Sequence, residues 1–257
     1  MRTTCLIFIA VFACALQNCN NAQSNITAEI ADTIPLRYSF MRDSAITIDS
    51  LEIVFYIPVN ASLELTSRRP LKSNDSIVFS CAAAFTLLDN GKIDGLFIEN
   101  GTKVVSHVNR SLGGGIIISG RNSNAANRIF GTEMGKLLDS TLVDSMVANS
   151  CSFFQQIQMV RDGQPLVFRK DVSKFQRRAI CVTNGKTMIV ETLWPCTLQK
   201  FADVLKKSGI FNALYVDMGS WDEGWKRDDK GAIKTIGIMR NSTSRQSNWI
   251  LFRQKAH

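Results

Sequence analysis

Residues 187 to 227 read as a strand, a helix, a second strand and a polar turn, and that order narrows the folds open to the chain. Met188, Ile189 and Val190 form an apolar run of strand length. Thr197 stands where a helix N-cap belongs. Leu198, Phe201, Ala202 and Leu205 follow at helical spacing as one apolar stripe, and Gly209 sits where the helix would end in a left-handed residue. Ala213 to Val216 form a second buried strand. It ends at Asp217 and runs into Met218, Gly219, Ser220 and Trp221. A strand fixes the position of a carboxylate at its end and a turn exposes it, which suits chemistry. The alternative is that Asp217 only caps the turn through backbone amides.

The remaining segments read mainly as strands. Leu51 to Val59 (LEIVFYIPV) is strongly strand-like, and Ile77 to Phe85 (IVFSCAAAF) is another apolar run. Asn100-Gly101 predicts a tight type I′ hairpin returning through Val104 and Val105. Asp162-Gly163 and Asn184-Gly185 are further turn signals. Three glycines open Leu112 to Ser119 (LGGGIIIS). No GK[ST] follows them, so they point to a turn or a close backbone approach rather than a phosphate loop. Met134, Leu137, Leu138, Leu142 and Met146 lie near helical spacing, predicting a helix over 134–147. Thr235 to Ile238 and Asn248 to Phe252 read as closing strands. The expected fold is α+β: a large mixed, mostly antiparallel sheet with a few packed helices, the helix at 197–208 lying on one face. Strands 187–193 and 211–216, as parallel neighbours, would require a right-handed crossover.

Several of these segments, in this order, resemble the phosphodiester glycosidase family, the relatives of the lysosomal uncovering enzyme. The family pattern N-A-L-x-L-D-G-G is matched by Asn212-Ala213-Leu214-Tyr215-Val216-Asp217-Met218-Gly219, with Met218 in the place of the first glycine. Phe154-Gln155 through Gly163 resembles F-Q-S-x-P-x-L-V-x-x-G, with Gln158 for the proline. Phe175 to Val182 resembles P-R-T-A-I-G-V: Arg177 matches the arginine, Arg178 replaces the threonine and Cys181 the glycine. Asp94 to Gly101 resembles the P-x-G-L-x-I-x-N-G hairpin and contributes Asn100. Where the family carries an asparagine-glycine motif ending in an aromatic residue, this chain has Cys81-Ala82-Ala83-Ala84-Phe85. The resemblance covers about residues 77–252 and identifies a divergent bacterial member.

Composition bounds the rest. Residues 1–22 have the form of a signal peptide: Arg2, then an apolar run from Cys5 to Leu16 that is too short to span a bilayer. Cys14 or Cys19 fits the lipid-bearing cysteine of a lipoprotein leader, and ordinary cleavage near Ala22 is the alternative. Residues 23–50 read as a linker and first strand, and 51–257 as one domain. The chain is therefore expected to be exported, either to the periplasm or to the cell surface. The net charge of +8 suits an anionic ligand. No arginine-rich run interleaves with aromatics, so nucleic acid is not an expected partner. Cys81, Cys151, Cys181 and Cys196 lie far apart without a CxxC, and the two histidines are His107 and His257, so no zinc site and no cofactor are expected. The four cysteines can pair or remain buried thiols. No feature indicates an oligomeric state.

The resemblance implies hydrolysis of a sugar-1-phosphodiester. Such a site must stabilise positive charge at the anomeric carbon, which a carboxylate does, and grip the departing phosphate, which arginine does. It casts Asp217 as the catalytic carboxylate and Arg177 as the phosphate clamp, with Arg178 assisting. Gln155, Asn100, Gly219, Ser220, Trp221 and Asp222 are candidate substrate contacts. Glu191, Asp222 and Glu223 are candidate second carboxylates, and Trp221 and Trp225 are candidate stacking platforms for a sugar ring. The partner is then a carbohydrate or sugar phosphate. A non-catalytic glycan-binding protein on the same fold is the rival reading, and a pure adhesion or scaffold protein the third.

Overall fold

The computed structural model describes residues 39–120, 125–238 and 240–255. The expected leader and most of the expected linker lie outside them. Among the described residues, strands dominate and two helices pack against them, in the α+β class the sequence predicts. The strands divide into three sheets whose pairings are antiparallel.

The largest sheet has seven strands in the order β1 (Phe40–Ile48), β2 (Leu51–Val59), β13 (Lys186–Thr192), β12 (Arg178–Thr183), β14 (Asn212–Tyr215), β10 (Gln158–Arg161) and β11 (Gln164–Pro165). A second sheet runs β16 (Ile233–Thr235), β15 (Trp225–Arg227), β4 (Ile77–Ala82), β17 (Trp249–Gln254) and β3 (Ala61–Thr66). The third runs β6 (Thr102–Val105), β5 (Phe97–Glu99), β9 (Ser152–Gln156), β7 (Gly114–Ile118) and β8 (Arg128–Gly131). The hairpin signals appear as two-residue turns with positive φ: Asn100-Gly101 (47° and 77°), Asp162-Gly163 (49° and 73°) and Asn184-Gly185 (49° and 71°).

The strands at 186–192 and 212–215 are not neighbours. β12 lies between them and pairs antiparallel with both. The Asn184-Gly185 turn makes the β12–β13 pairing local, and β14 takes the free edge of β12, so no crossover between adjacent parallel strands arises. β1 extends the same sheet by pairing with β2 along its whole length.

Helix α1 (Ser140–Ala148) is capped by Asp139, whose carboxylate accepts from the Leu142 amide. The helix expected from residue 134 starts later because Glu133, Met134 and Gly135 all have positive φ, a conformation a right-handed helix excludes. Helix α2 (Leu198–Lys207) begins at its Thr197 cap as the sequence predicts, and Gly209 is left-handed at φ +82°. Phe201, Ala202, Val204 and Leu205 are buried against Ile53, Ala179, Cys181, Val190 and Ala213 of the seven-stranded sheet. Burial of Phe201, Val204 and Leu205 contributes roughly 1.5–3 kcal/mol each.

On the sheet's other face, Val54, Tyr56, Ile180, Ile189 and Leu214 share a core with Phe79, Cys81, Ile250 and Phe252 of the second sheet and Phe97, Ile116 and Phe154 of the third. The central strands β2, β13, β12 and β14 are therefore covered on both faces, which explains their apolar runs. The glycines at 114 and 115 allow the close approach of β7. A Cβ at Gly114 would come within 2.7 Å of Leu214 Cδ1, and one at Gly115 within 2.5 Å of Phe153 Cζ. Cys81, Cys151, Cys181 and Cys196 are free thiols, and all but Cys151 are buried.

Candidate active site

Alternation along β12 sends its two arginines to opposite faces of the sheet. Ala179 pairs with Tyr215 and Ile180 with Leu214, and the Val216 amide extends the ladder by donating to the Arg178 carbonyl (3.1 Å). Ala179 and Tyr215 belong to the core on the α2 side, Ile180 and Leu214 to the core between the sheets. Arg177 thus falls on the α2 side. Arg178 points into the space between the sheets.

Asp217 leaves the ladder of β14 and turns towards β4, its amide donating to the Ala83 carbonyl (3.0 Å). Its carboxylate is buried and accepts three hydrogen bonds. Oδ1 takes the Gly219 amide (2.9 Å), and Oδ2 takes the Thr86 amide (3.1 Å) and the Trp221 indole N–H (2.9 Å). Burial pushes the Asp217 pKa up, while the Trp221, Gly219 and Thr86 donors pull it back. Gly219 and Trp221 therefore touch the carboxylate, the ring of Trp221 is buried, and Ser220 is exposed at the turn.

The Arg177 guanidinium lies 5.9 Å from the Tyr215 ring centre and 5.3 Å from that of Phe175. Nε donates to the Cys196 carbonyl (3.1 Å), and one terminal nitrogen donates to the Ser173 carbonyl (2.8 Å) and to Asp171 Oδ2 (3.2 Å). Phe85, which ends the Ala82–Ala84 segment, also packs on Tyr215, with ring centres 6.0 Å apart. Tyr215, with its phenol pKa raised by burial, thus bridges the segment after β4 to Arg177.

The other arginine is part of a sealed cluster. Arg178 Nε donates to Glu191 Oε2 (2.6 Å), and one terminal nitrogen donates to both oxygens of Asp222 (2.9 Å each). The second terminal nitrogen has no partner and is closed in where Gly224 and Gly237 come near. A Cβ at Gly237 would approach it to 2.8 Å. This arrangement leaves Arg178 without an outward donor for a phosphate, contrary to the assisting role expected of it. Glu191 and Asp222 are taken up in the same cluster, and burial raises the Glu191 pKa despite Arg178. Asp222 also accepts from the Ala82 amide (3.3 Å), so the cluster ties the end of β4 to the turn that carries Asp217.

The remaining candidates stand elsewhere. Gln155 is buried in the third sheet, where Oε1 accepts from the Leu96 and Asn109 amides (3.0 Å each) and Nε2 donates to the Asn109 carbonyl (3.1 Å). That set clasps two loops and leaves no group pointing outwards. Asn100 is a left-handed turn residue of the β5–β6 hairpin. Glu223 pairs with Arg69 and Lys72. Trp225 is buried with Ile77, Trp249 and Leu251. Neither Trp221 nor Trp225 offers an open ring face. Among the described residues no cluster of His, Cys, Asp or Glu could hold a metal ion.

Three contributors gave no signal in the sequence. The Thr86 amide donates to Asp217 from far along the chain, Asp171 holds Arg177, and Asn248 binds Ala84 from just before β17. The Asn248 Oδ1 accepts from the Ala84 amide (2.7 Å) and its Nδ2 donates to the Ala84 carbonyl (3.2 Å). A buried amide side chain from the residue just before β17 therefore lies against the alanine segment that lacks one of its own.

The sequence matches no family model and no curated protein. The fold does have solved counterparts. It is similar to the catalytic domain of zebrafish N-acetylglucosamine-1-phosphodiester alpha-N-acetylglucosaminidase, a structure auto-inhibited by its pro-peptide, with a TM-score of 0.57 and 14% identity over 88% of this chain and 85% of that one. It is also similar to a hypothetical protein from Synechocystis, with a TM-score of 0.54 and 12% identity over 83% of this chain and 62% of that one. At these identities the likeness is one of fold.

Proposed function

We propose that this chain is an exported hydrolase that cleaves a sugar-1-phosphodiester, with Asp217 as the carboxylate at the anomeric carbon and Arg177 as the cation for the phosphate. The observation that carries the reading is the position of Arg177, whose guanidinium lies 5.9 Å from the ring of Tyr215 on the strand that leads into Asp217. The fold shared with a phosphodiester glycosidase domain supports it. A carboxylate buried among preset donors changes its surroundings little as charge develops at the sugar. Arginine offers a phosphate two parallel donors once Asp171 and the Ser173 carbonyl give way. Phosphate leaves readily, so a separate general acid is less needed than for an alkyl glycoside.

The second reading, a non-catalytic glycan-binding protein, is favoured by one feature. The Asp217 oxygens already hold three donors, which is also what a purely structural cap would do. Purified protein is assayed for sugar release from a panel of sugar-1-phosphodiesters, alongside Asp217→Asn and Arg177→Ala. Turnover that falls about 10²–10⁴-fold in Asp217→Asn supports the hydrolase. Arg177→Ala is expected to lose most against substrates with the full phosphodiester and least against an uncharged aryl glycoside. Saturable glycan binding without turnover moves the assignment to the binding protein, and neither activity nor binding overturns both.

A further inference from the structure

The segment from Val167 to Phe175 joins β11 to β12 outside any sheet and carries apolar side chains into solvent. Val172 is 80% exposed, Val167 65% and Phe175 60%. Trp194, 63% exposed, stands beside this segment for a reason visible in the backbone. The β12–β13 ladder continues as far as Arg177 and Thr192, whose backbone groups still bond (2.8 Å), and resumes at an isolated bridge between Phe175 and Cys196. Gln176 alone spans on one side what Leu193, Trp194 and Pro195 span on the other. The longer side must bulge outwards, and it does so at the tryptophan. The Gln176 side chain closes the base of the bulge by donating to the Leu193 carbonyl (2.9 Å).

The segment is pinned rather than loose. Asp171 and the Ser173 carbonyl accept from Arg177, and the Phe168 amide donates to Gln199 of α2 (2.7 Å). Its charge is lopsided. Arg169, Lys170 and Lys174 are exposed, and the one acid within residues 167–175, Asp171, is turned inwards to Arg177 and the Leu198 amide. The result is an open, shallow surface along Val167–Asp171, in which large apolar side chains stand among cations. Exposed aliphatic side chains and a tryptophan beside basic residues match the headgroup region of a bilayer, which takes up apolar groups and carries negative charge. A soluble polyanion would satisfy the cations but offers nothing to Val167, Val172 or Trp194.

We infer that residues 167–175 and Trp194 form a peripheral docking surface for an anionic membrane. The contact is independent of the hydrolase reading. Among the described residues no helix is long and apolar enough to cross a bilayer.

The test uses the full chain with vesicles of phosphatidylcholine alone and of phosphatidylcholine with phosphatidylglycerol. Trp194→Ser with Val172→Ser removes apolar contact, and Lys170→Glu with Lys174→Glu reverses charge. All four positions are exposed, so the variants are expected to melt as the wild type does, and thermal melts check this. The leader region is common to every variant, so differences among them report the surface. Expected are binding to the phosphatidylglycerol vesicles that salt weakens, a loss of about 30-fold or more in the charge variant and a loss of about tenfold in the apolar variant. Brominated lipid should quench the wild type's fluorescence and leave the Trp194 variant unquenched, since Trp221, Trp225 and Trp249 are buried. Vesicle binding that both variants retain overturns the proposal. So does binding to dextran sulfate that matches vesicle binding and ignores the apolar substitutions, which would assign the surface to a soluble polyanion.

Discussion

The Asp217 carboxylate stands between two opposed influences: burial disfavours its charge, and three donors favour it, with burial the larger. Its folded pKa lies above the ordinary aspartate value of about 4. Folding then favours the protonated form. The stability this group contributes is complete below about pH 4 and is lost as the pH rises through the raised value. Asp217→Asn has no such titration, so the stability of the wild type relative to the variant should decline between pH 4 and pH 7. Urea unfolding of both proteins at the two pH values measures this, and a difference that does not change with pH would show that the carboxylate is not held as described. On the proposed hydrolase reading, in which Asp217 acts ionised, the same shift places the acid limb of kcat/KM above pH 4. The position of Asp217 was legible because a buried strand ends in it. Its donors were not, since the Thr86 amide carries no side-chain signature and reaches it only because the segment after β4 meets the segment after β14. Alternation likewise predicts that Arg177 and Arg178 part company, yet only the burial of Ile180 and Ala179 in different cores says which arginine faces α2.

Local elements were legible where one residue type has one physical use. The two-residue turns at 100–101, 162–163 and 184–185 need positive φ, and Asn-Gly or Asp-Gly supplies it. Helix α2 was readable from cap to terminus because its apolar stripe and both end signals agree. Helix α1 was misjudged at its start because Met134 and Leu137 extend the spacing of its apolar stripe across a left-handed turn. Sheet membership was hidden, since a strand buried on both faces looks the same in any sheet, and the insertion of β12 between β13 and β14 is a tertiary choice. The agreement of signals at α2 can be measured. The Thr197 hydroxyl accepts from the Lys200 amide (3.2 Å), so Thr197→Ala should cost about 1 kcal/mol and Thr197→Ser almost nothing. Gly209→Ala meets no atom within 4 Å, so its cost is conformational alone, about 1–2 kcal/mol. Shifts in the urea midpoint at constant slope read both, and a costless Gly209→Ala would mean that the helix end relaxes out of the left-handed region.

The three sheets share one core, so the limits of the folding unit matter to the whole molecule. The sequence reads residues 23–50 as a linker and first strand and 51–257 as the domain, and β1 pairs with β2 from Phe40↔Val59 to Ile48↔Leu51. Asp43 of β1 is ion-paired with Lys226 of the second sheet, and Lys226 lies 5.9 Å from the Tyr56 ring centre, so the same strand ties two sheets together. Removing residues up to 50 would bare β2, a nine-residue apolar strand, as a new edge open to pairing with other molecules. It would also strip the cover of Met41, which is buried, and of Ile46 and Ile48, which pack against the α2-side core. At roughly 1.5 kcal/mol or more for each such side chain, and about 2–4 °C per kcal/mol for a domain of this size, the melting temperature should fall by about 10 °C. Light scattering should show concentration-dependent association of the shortened chain that a chain beginning at Ser39 does not show. Equal melting temperatures and monomers in both cases would instead make β1 an accessory strand. The core shared by the three sheets would then be complete from Leu51 onwards, with Lys226 held by Tyr56 alone.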